Sequence, residues 1–242
     1  MTMIAAQLQT VRARIEAACI AAGRKREEVT ILAVSKTIGP EAVAQAVAAG
    51  QRAFGENYIT EAVEKMAVVR QLRGDLPGTA PMASLIEWHC IGPIQSNKTR
   101  LVAEHFDWVQ TVDRLKIAQR LNEQRPASLP PLQVCLQVNV DGGANKSGLA
   151  PDAVLALAQE VAALPRLRLR GLMCIPEPAP DFAAACVVFS KAKAIFDELN
   201  RAGFQLDTLS MGMSADLEAA IHAGSTMVRV GTAIFGGRST VV

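Results

Sequence analysis

The sequence predicts an α/β protein, a (β/α)8 barrel carrying one extra N-terminal helix. Strand-like and helix-like segments alternate about eight times along the chain. Strands joined by helical crossovers must run parallel. A chain of 242 residues matches the roughly 250 residues of such barrels, so one domain over residues 1–242 is expected. An open, doubly wound sheet is the alternative, but its nucleotide-binding forms favour G-x-G-x-x-G after the first strand. Here that position reads SKTIGP.

Residues 3–22 have the apolar spacing of an amphipathic helix, which Gly23 stops. VTILAVSK, a β-branched run ending on lysine, is the first strand. Pro40 opens a helix that closes at Gly50. RAFGEN is a strand and YITEAVEKMAVVRQL a helix; the Gly- and Pro-bearing stretch 73–84 is a loop. IEWHCIG, DWVQTV and LQVCLQVNV follow as strands, separated by helices that begin near Gln95 and Asp113. DGGANKSG is a glycine-rich loop, and Pro151 starts the next helix. LRLRGLMCI is a strand, residues 181–203 form a long helix, and LDTLSMGM is a strand. SADLEAAIHAG is a helix with Ser214 as its N-cap, and STMVRVGTAIFG is read as the final strand.

Composition removes several functions. Lys plus Arg number 25 against 23 Asp plus Glu, a net charge of +2, and aromatic residues are 4%. That balance provides neither a field for nucleic acid or anionic membranes nor a base-stacking platform. No run approaches the roughly 18 apolar residues of a membrane span, and the N-terminus lacks a secretory pattern. A cytoplasmic protein is expected. Five cysteines follow no pairing framework and read as reduced core thiols. His89 and Cys90 are adjacent on a strand, so they face opposite ways and cannot share a metal ion.

In a barrel the functional groups gather at the C-terminal ends of the strands. The first strand ends on Lys36, whose amine at the rim of an apolar run suits Schiff-base chemistry. The second and third strands end near Asn57 and His89, polar groups suited to a ligand ring or its oxygen. The fourth offers little beyond Thr111 and Asp113, and the sixth contributes Met173. Ser210, Gly212 and Ser214 from the seventh, with Gly231 and Thr232 from the eighth, resemble an anion cradle. Arg229 shares a face with Gly231. Lys146 in the glycine-rich loop lacks phosphate-loop spacing and reads as solvated.

LAVSKT, AFGENY, EWHCIGPIQSNK, RGLMCI, LSMGMSADLEAAI and GSTMVRVGTAIFG together resemble the pyridoxal phosphate homeostasis family, single-domain relatives of the alanine racemase barrel. The resemblance covers nearly the whole chain in order. It implies pyridoxal 5'-phosphate (PLP) in aldimine linkage to Lys36. It also implies phosphate contacts from the segments of Ser214, Gly231 and Thr232, and Arg229 facing the pyridine nitrogen. An arginine there leaves that nitrogen unprotonated and weakens the electron sink. The implied role is a carrier or regulator in vitamin B6 and amino-acid balance, without catalytic turnover. PLP, other B6 vitamers and PLP-dependent apo-enzymes are the implied partners. An amino-acid racemase is the alternative, but it requires an opposing acid from a second domain, and the single tyrosine is Tyr58. Without that domain's dimer contacts a monomer is expected. A cofactor-free barrel that binds phosphorylated metabolites is a third reading.

Overall fold

The computed structural model describes residues 2–74, 86–142 and 147–237. Eight strands are present: β1 Thr30–Val34, β2 Ala53–Glu56, β3 Glu87–Cys90, β4 Trp108–Val112, β5 Leu132–Gln137, β6 Leu167–Met173, β7 Thr208–Met213 and β8 Met227–Val230. All pair in parallel with their sequence neighbours, and β8 returns to β1 through Leu32↔Arg229 and Ala33↔Val230. Closure rules out the open sheet.

Helices α1 Met3–Ala21, α2 Pro40–Ala48, α3 Ile59–Gly74, α4 Thr99–His105 and α5 Leu115–Gln124 precede α6 Val154–Ala162, α7 Phe182–Arg201, α8 Leu217–His222 and α9 Thr232–Phe235. They cover the barrel, so its strands are buried on both faces and read as continuous apolar runs. Leu32, Ala53, Ile91 and Met227 pack together inside the barrel, as do Trp108, Cys135 and Met173. The larger core lies between the strands and the helices.

The extra helix α1 buries Ile4, Leu8, Val11, Ile15, Ala18 and Cys19, the stripe its spacing predicts. Thr2 caps it by accepting from the Ala5 N–H at 3.2 Å. Arg14 and Arg24 fasten it to the α8 region, Arg24 through the carbonyl oxygens of Ile221 and Ser225 at 2.9 and 2.7 Å.

Two boundaries differ from expectation. The last strand stops at Val230, and Thr232–Phe235 turns into a helix. The β-branched, aromatic run TAIF has strand propensity, but Gly231 starts the turn, and its carbonyl accepts from Ile234 and Phe235. Ser214 does not cap α8. Asp216 holds that position, and its carboxylate accepts from the Met213 N–H at 2.6 Å. The loop 73–84 lies outside the described residues from residue 75 onward, as do Asn145 and Lys146.

Cys19, Cys90, Cys135 and Cys174 are buried free thiols, and Cys186 is half-buried. Burial pushes Cys90 and Cys135 up to about 12. His89 stacks on Trp108 inside the barrel while Cys90 joins the outer core, as alternation requires. No helix among the described residues is long and apolar enough to cross a membrane.

Gly171 marks the tightest contact between strands. A Cβ there would meet the Thr208 carbonyl oxygen at 1.6 Å, so β6 and β7 can pair only around a bare backbone. Gly171→Ala is expected to cost about 3 kcal/mol, read as a lower denaturant midpoint at unchanged slope.

Candidate functional site

The chain leaves β1 through Ser35 and reaches Lys36 at the C-terminal mouth of the barrel. Lys36 is half-buried. With Val34, Thr37, Ile38, Gly231 and Thr232 it lines a small cavity of about 90 Å³. Its backbone carbonyl accepts from Thr37 Oγ1. No hydrogen bond or ion pair engages its side-chain amine among the described residues. The β1–β8 register places Gly231 beside Val34, where a Cβ would stand 3.2 Å from the Val34 carbonyl oxygen. A side chain at 231 would crowd the cavity wall.

Ser214 and Thr232 converge from the β7–α8 and β8–α9 connections, their hydroxyl oxygens 3.4 Å apart. Gly212 has φ +89°, and a Cβ there would lie 2.4 Å from the Ala220 Cβ. Only glycine both adopts that backbone and lets α8 approach. Arg14 braces the turn from α1, donating to the Ser214 carbonyl oxygen at 3.2 Å and to Glu218 at 2.7 Å. Two small hydroxyls beside a glycine and two helix starts form a cradle for an anion.

Arg229 is buried in the barrel interior. Its Nη1 donates to the backbone and hydroxyl oxygens of Ser210 at 2.9 and 2.8 Å, and its Nη2 to the Cys174 carbonyl oxygen at 2.8 Å. Burial pulls the guanidinium pKa below its ordinary value. Ser210 Oγ donates to Gln110 Oε1 at 2.7 Å. Gln110 Nε2 lies 3.0 Å from His89 Nδ1 and 3.1 Å from Met227 Sδ. Because the Gln110 amide nitrogen is a donor, Nδ1 is the accepting nitrogen and the His89 proton resides on Nε2. Desolvation lowers the His89 pKa, and Glu87, with its carboxylate 3.9 Å from Nε2, offsets that only in part. His89 is fully buried and uncharged at neutral pH.

The interior chain Arg229–Ser210–Gln110–His89 thus connects three predicted residues through one that the sequence reading passed over. The signal was available: Gln110 is a lone amide on the otherwise apolar face of β4. Met173 is buried against Trp108 and Cys135, registered opposite Ser210. Asn57 stands at the end of β2, and its Oδ1 is buried with no hydrogen-bond partner among the described residues. Gly92 permits the close approach there, since a Cβ at 92 would lie 2.4 Å from the Asn57 carbonyl oxygen. With Tyr58, Pro93, Gln95 and Lys98, Asn57 lines a wider recess of about 490 Å³.

A second group surrounds the Lys36 turn, in which Ser35 and Glu56 stand at strand ends and Lys65 and Glu61 of α3 carried no signal in the sequence. Lys65 of α3 is buried and donates to Ser35 O at 2.7 Å, Glu56 Oε1 at 2.8 Å and Glu61 Oε1 at 3.0 Å. Ser35 Oγ donates to Glu56 Oε1 at 2.7 Å. Burial raises the Glu56 pKa, and the Lys65 ammonium pulls it back. Thr37 has φ +62°, a left-handed conformation that costs a β-branched residue on the order of 1–3 kcal/mol. Glu61 Oε1 accepts from the Thr37 N–H at 3.0 Å.

Comparison with known proteins supplies the relationship. A family model for the alanine racemase N-terminal domain matches residues 7–239. Pyridoxal phosphate homeostasis proteins of Pseudomonas aeruginosa and Vibrio cholerae are 57% and 52% identical over 238 residues. Each match covers 98% of this chain and 97% or 98% of the relative. PipY of Synechococcus elongatus PCC7942, solved with PLP bound, is 34% identical with a TM-score of 0.80. That match covers 97% of this chain and 100% of PipY. An alanine racemase of Clostridium difficile 630, at 15% identity and a TM-score of 0.66, shares the fold over 95% of this chain and 57% of its own. The chain belongs to the alanine racemase N-terminal domain family and, within it, to the pyridoxal phosphate homeostasis proteins.

Proposed function

We propose that this chain, as one barrel over residues 1–242, binds PLP at its mouth through Lys36 and serves PLP homeostasis. It takes up and releases the cofactor without catalytic turnover. The observation that carries this reading is the Lys36 amine, without a hydrogen-bond or ion-pair partner among the described residues, in a cavity it shares with Gly231 and Thr232. The residues present fit the group. Asn57 Oδ1 is a buried acceptor without a partner among the described residues, and the bare Gly231 keeps the cavity wall open.

PLP, when bound, supplies an aldehyde that condenses with a primary amine and an electron-withdrawing ring. Lys36 provides the amine. Ser214, Gly231 and Thr232 are suited to the phosphate, with Gly212 shaping the turn that carries Ser214. Arg229, fixed by Ser210 and the Cys174 carbonyl, is the donor assigned to the ring nitrogen. A guanidinium keeps its own protons, so Arg229 would leave the ring nitrogen of bound PLP without a positive charge, and the group would supply only a weak electron sink there. Asn57 is assigned to the ring oxygen, to which its side-chain amide N–H groups would donate. Met173 and His89 give support from the barrel interior: Met173, the β6–β7 register partner of Ser210, packs against Trp108 and Cys135, and His89 anchors Gln110. The relatives' names and the PLP-bound PipY support the homeostasis role. The same reading has the protein act in the cytoplasm as a monomer, with other B6 vitamers and PLP-dependent apo-enzymes as its partners.

The test is to incubate the PLP-loaded protein with L-alanine and separate the enantiomers. The expected result is PLP retained and L-alanine unchanged. Sustained conversion to D-alanine would overturn the holder reading in favour of a racemase.

A further inference from the structure

Among the described residues, Thr37 is the single non-glycine residue with positive φ, and it directly follows Lys36. A left-handed turn at a β-branched residue persists only where its surroundings over-determine it. The Ile38 N–H closes the turn on the Ser35 carbonyl oxygen at 3.0 Å, and two acidic residues and one lysine add to that hold from outside it. Lys65 Nζ holds the carbonyl oxygen of Ser35, on one side of Lys36, at 2.7 Å. It also holds Glu61 Oε1 at 3.0 Å, and the same carboxylate oxygen accepts from the Thr37 N–H, on the other side of Lys36, at 3.0 Å. Glu56, bonded to both Lys65 and Ser35 Oγ, anchors the ammonium to the end of β2.

An ordinary i,i+4 surface pair explains Glu61 and Lys65 less well. The Lys65 side chain is only 4% exposed, and a surface pair would not extend to Ser35 and Thr37. Resting on the reading of Lys36 as the point of PLP attachment, we propose that Glu61 and Lys65 are positioning residues. They clamp the backbone on both sides of Lys36 and keep the Thr37 turn left-handed, so that the amine stays aimed into the mouth. α3 thereby acts on Lys36 through its peptide neighbours and not through its side chain.

Three variants test this: Glu61→Ala, which removes the acceptor; Glu61→Gln, which keeps one; and Glu61→Ala combined with Thr37→Gly, which frees the turn from strain. Two quantities are measured on the full-length protein. One is amide hydrogen exchange of the peptide covering residues 35–38 without PLP, and the other is PLP affinity by absorbance titration. Glu61→Ala is expected to speed exchange there and weaken PLP attachment about tenfold. Glu61→Gln is expected to remain near the wild type in both. Thr37→Gly should recover most of the affinity that Glu61→Ala loses, because glycine holds a positive φ without cost. Wild-type exchange in Glu61→Ala, or no recovery with Thr37→Gly, would overturn the clamp. If the wild type takes up no PLP on Lys36, the functional reading fails, and the exchange comparison still decides whether Glu61 holds the turn.

Discussion

Lys36→Ala is expected to abolish covalent attachment of PLP while leaving the barrel folded. Loss of that bond should weaken PLP binding roughly hundredfold or more, about 3 kcal/mol, because the phosphate cradle and ring contacts then act alone. The fold should barely notice. Lys36 is half-buried, and no hydrogen bond or ion pair engages its amine among the described residues, so the substitution resembles a surface change within about 0.5 kcal/mol. At this chain length that shifts the melting temperature by no more than about 2 °C. Calorimetry of the PLP-free variant, alongside a PLP titration, checks both halves. A lost cooperative transition would mean that Lys36 supports the core and is not merely presented by it.

Lys65→Met should be the most destabilising change at the site. It deletes the cation that pairs with Glu56 among the described residues, a carboxylate whose side chain is 0% exposed. Leaving a buried carboxylate unpaired costs about 3–5 kcal/mol. The loss carries a pH signature. Burial already raises the Glu56 pKa in the folded protein, and Lys65 opposes that rise; without Lys65 the pKa climbs further. A carboxyl with a raised folded pKa binds protons better folded than unfolded, so stability falls as pH rises above the unfolded value, about 4.3. The deficit should be smallest near that pH and grow toward neutrality through the raised folded pKa. Adding Glu56→Gln should flatten the pH dependence and recover much of the stability at neutral pH. A deficit that ignores pH would assign the effect to packing and not to Glu56.

The barrel was legible because its strands are short apolar runs between capped, amphipathic helices, and each break carries glycine or proline. Lys36, Ser214, Thr232 and Arg229 stood out as candidates because polar groups there interrupt those runs near strand ends, with Gly231 beside them. What failed was local. TAIF has the composition of a strand, and a glycine turn overrides it. Ser214 and Asp216 both suit a helix cap, and tertiary placement chose Asp216. The hold on Lys36 was hidden for a different reason. Glu61 and Lys65 stand four apart on a helix, the pattern of any solvated pair, and only folding sets that pair behind the β1 turn. Glu56 gave a partial hint as a carboxylate ending the short strand AFGE, with no partner nearby in sequence. Gln110 was passed over because the search stopped at strand ends, whereas the Ser210–Gln110–His89 chain runs through the barrel interior.

The most direct measurement treats the PLP-loaded protein with borohydride, digests it and reads the peptide masses. The account predicts one reduced pyridoxyl phosphate adduct on the peptide that contains Lys36, absent from Lys36→Ala. An unmodified Lys36 peptide, or the adduct on another lysine, would contradict it.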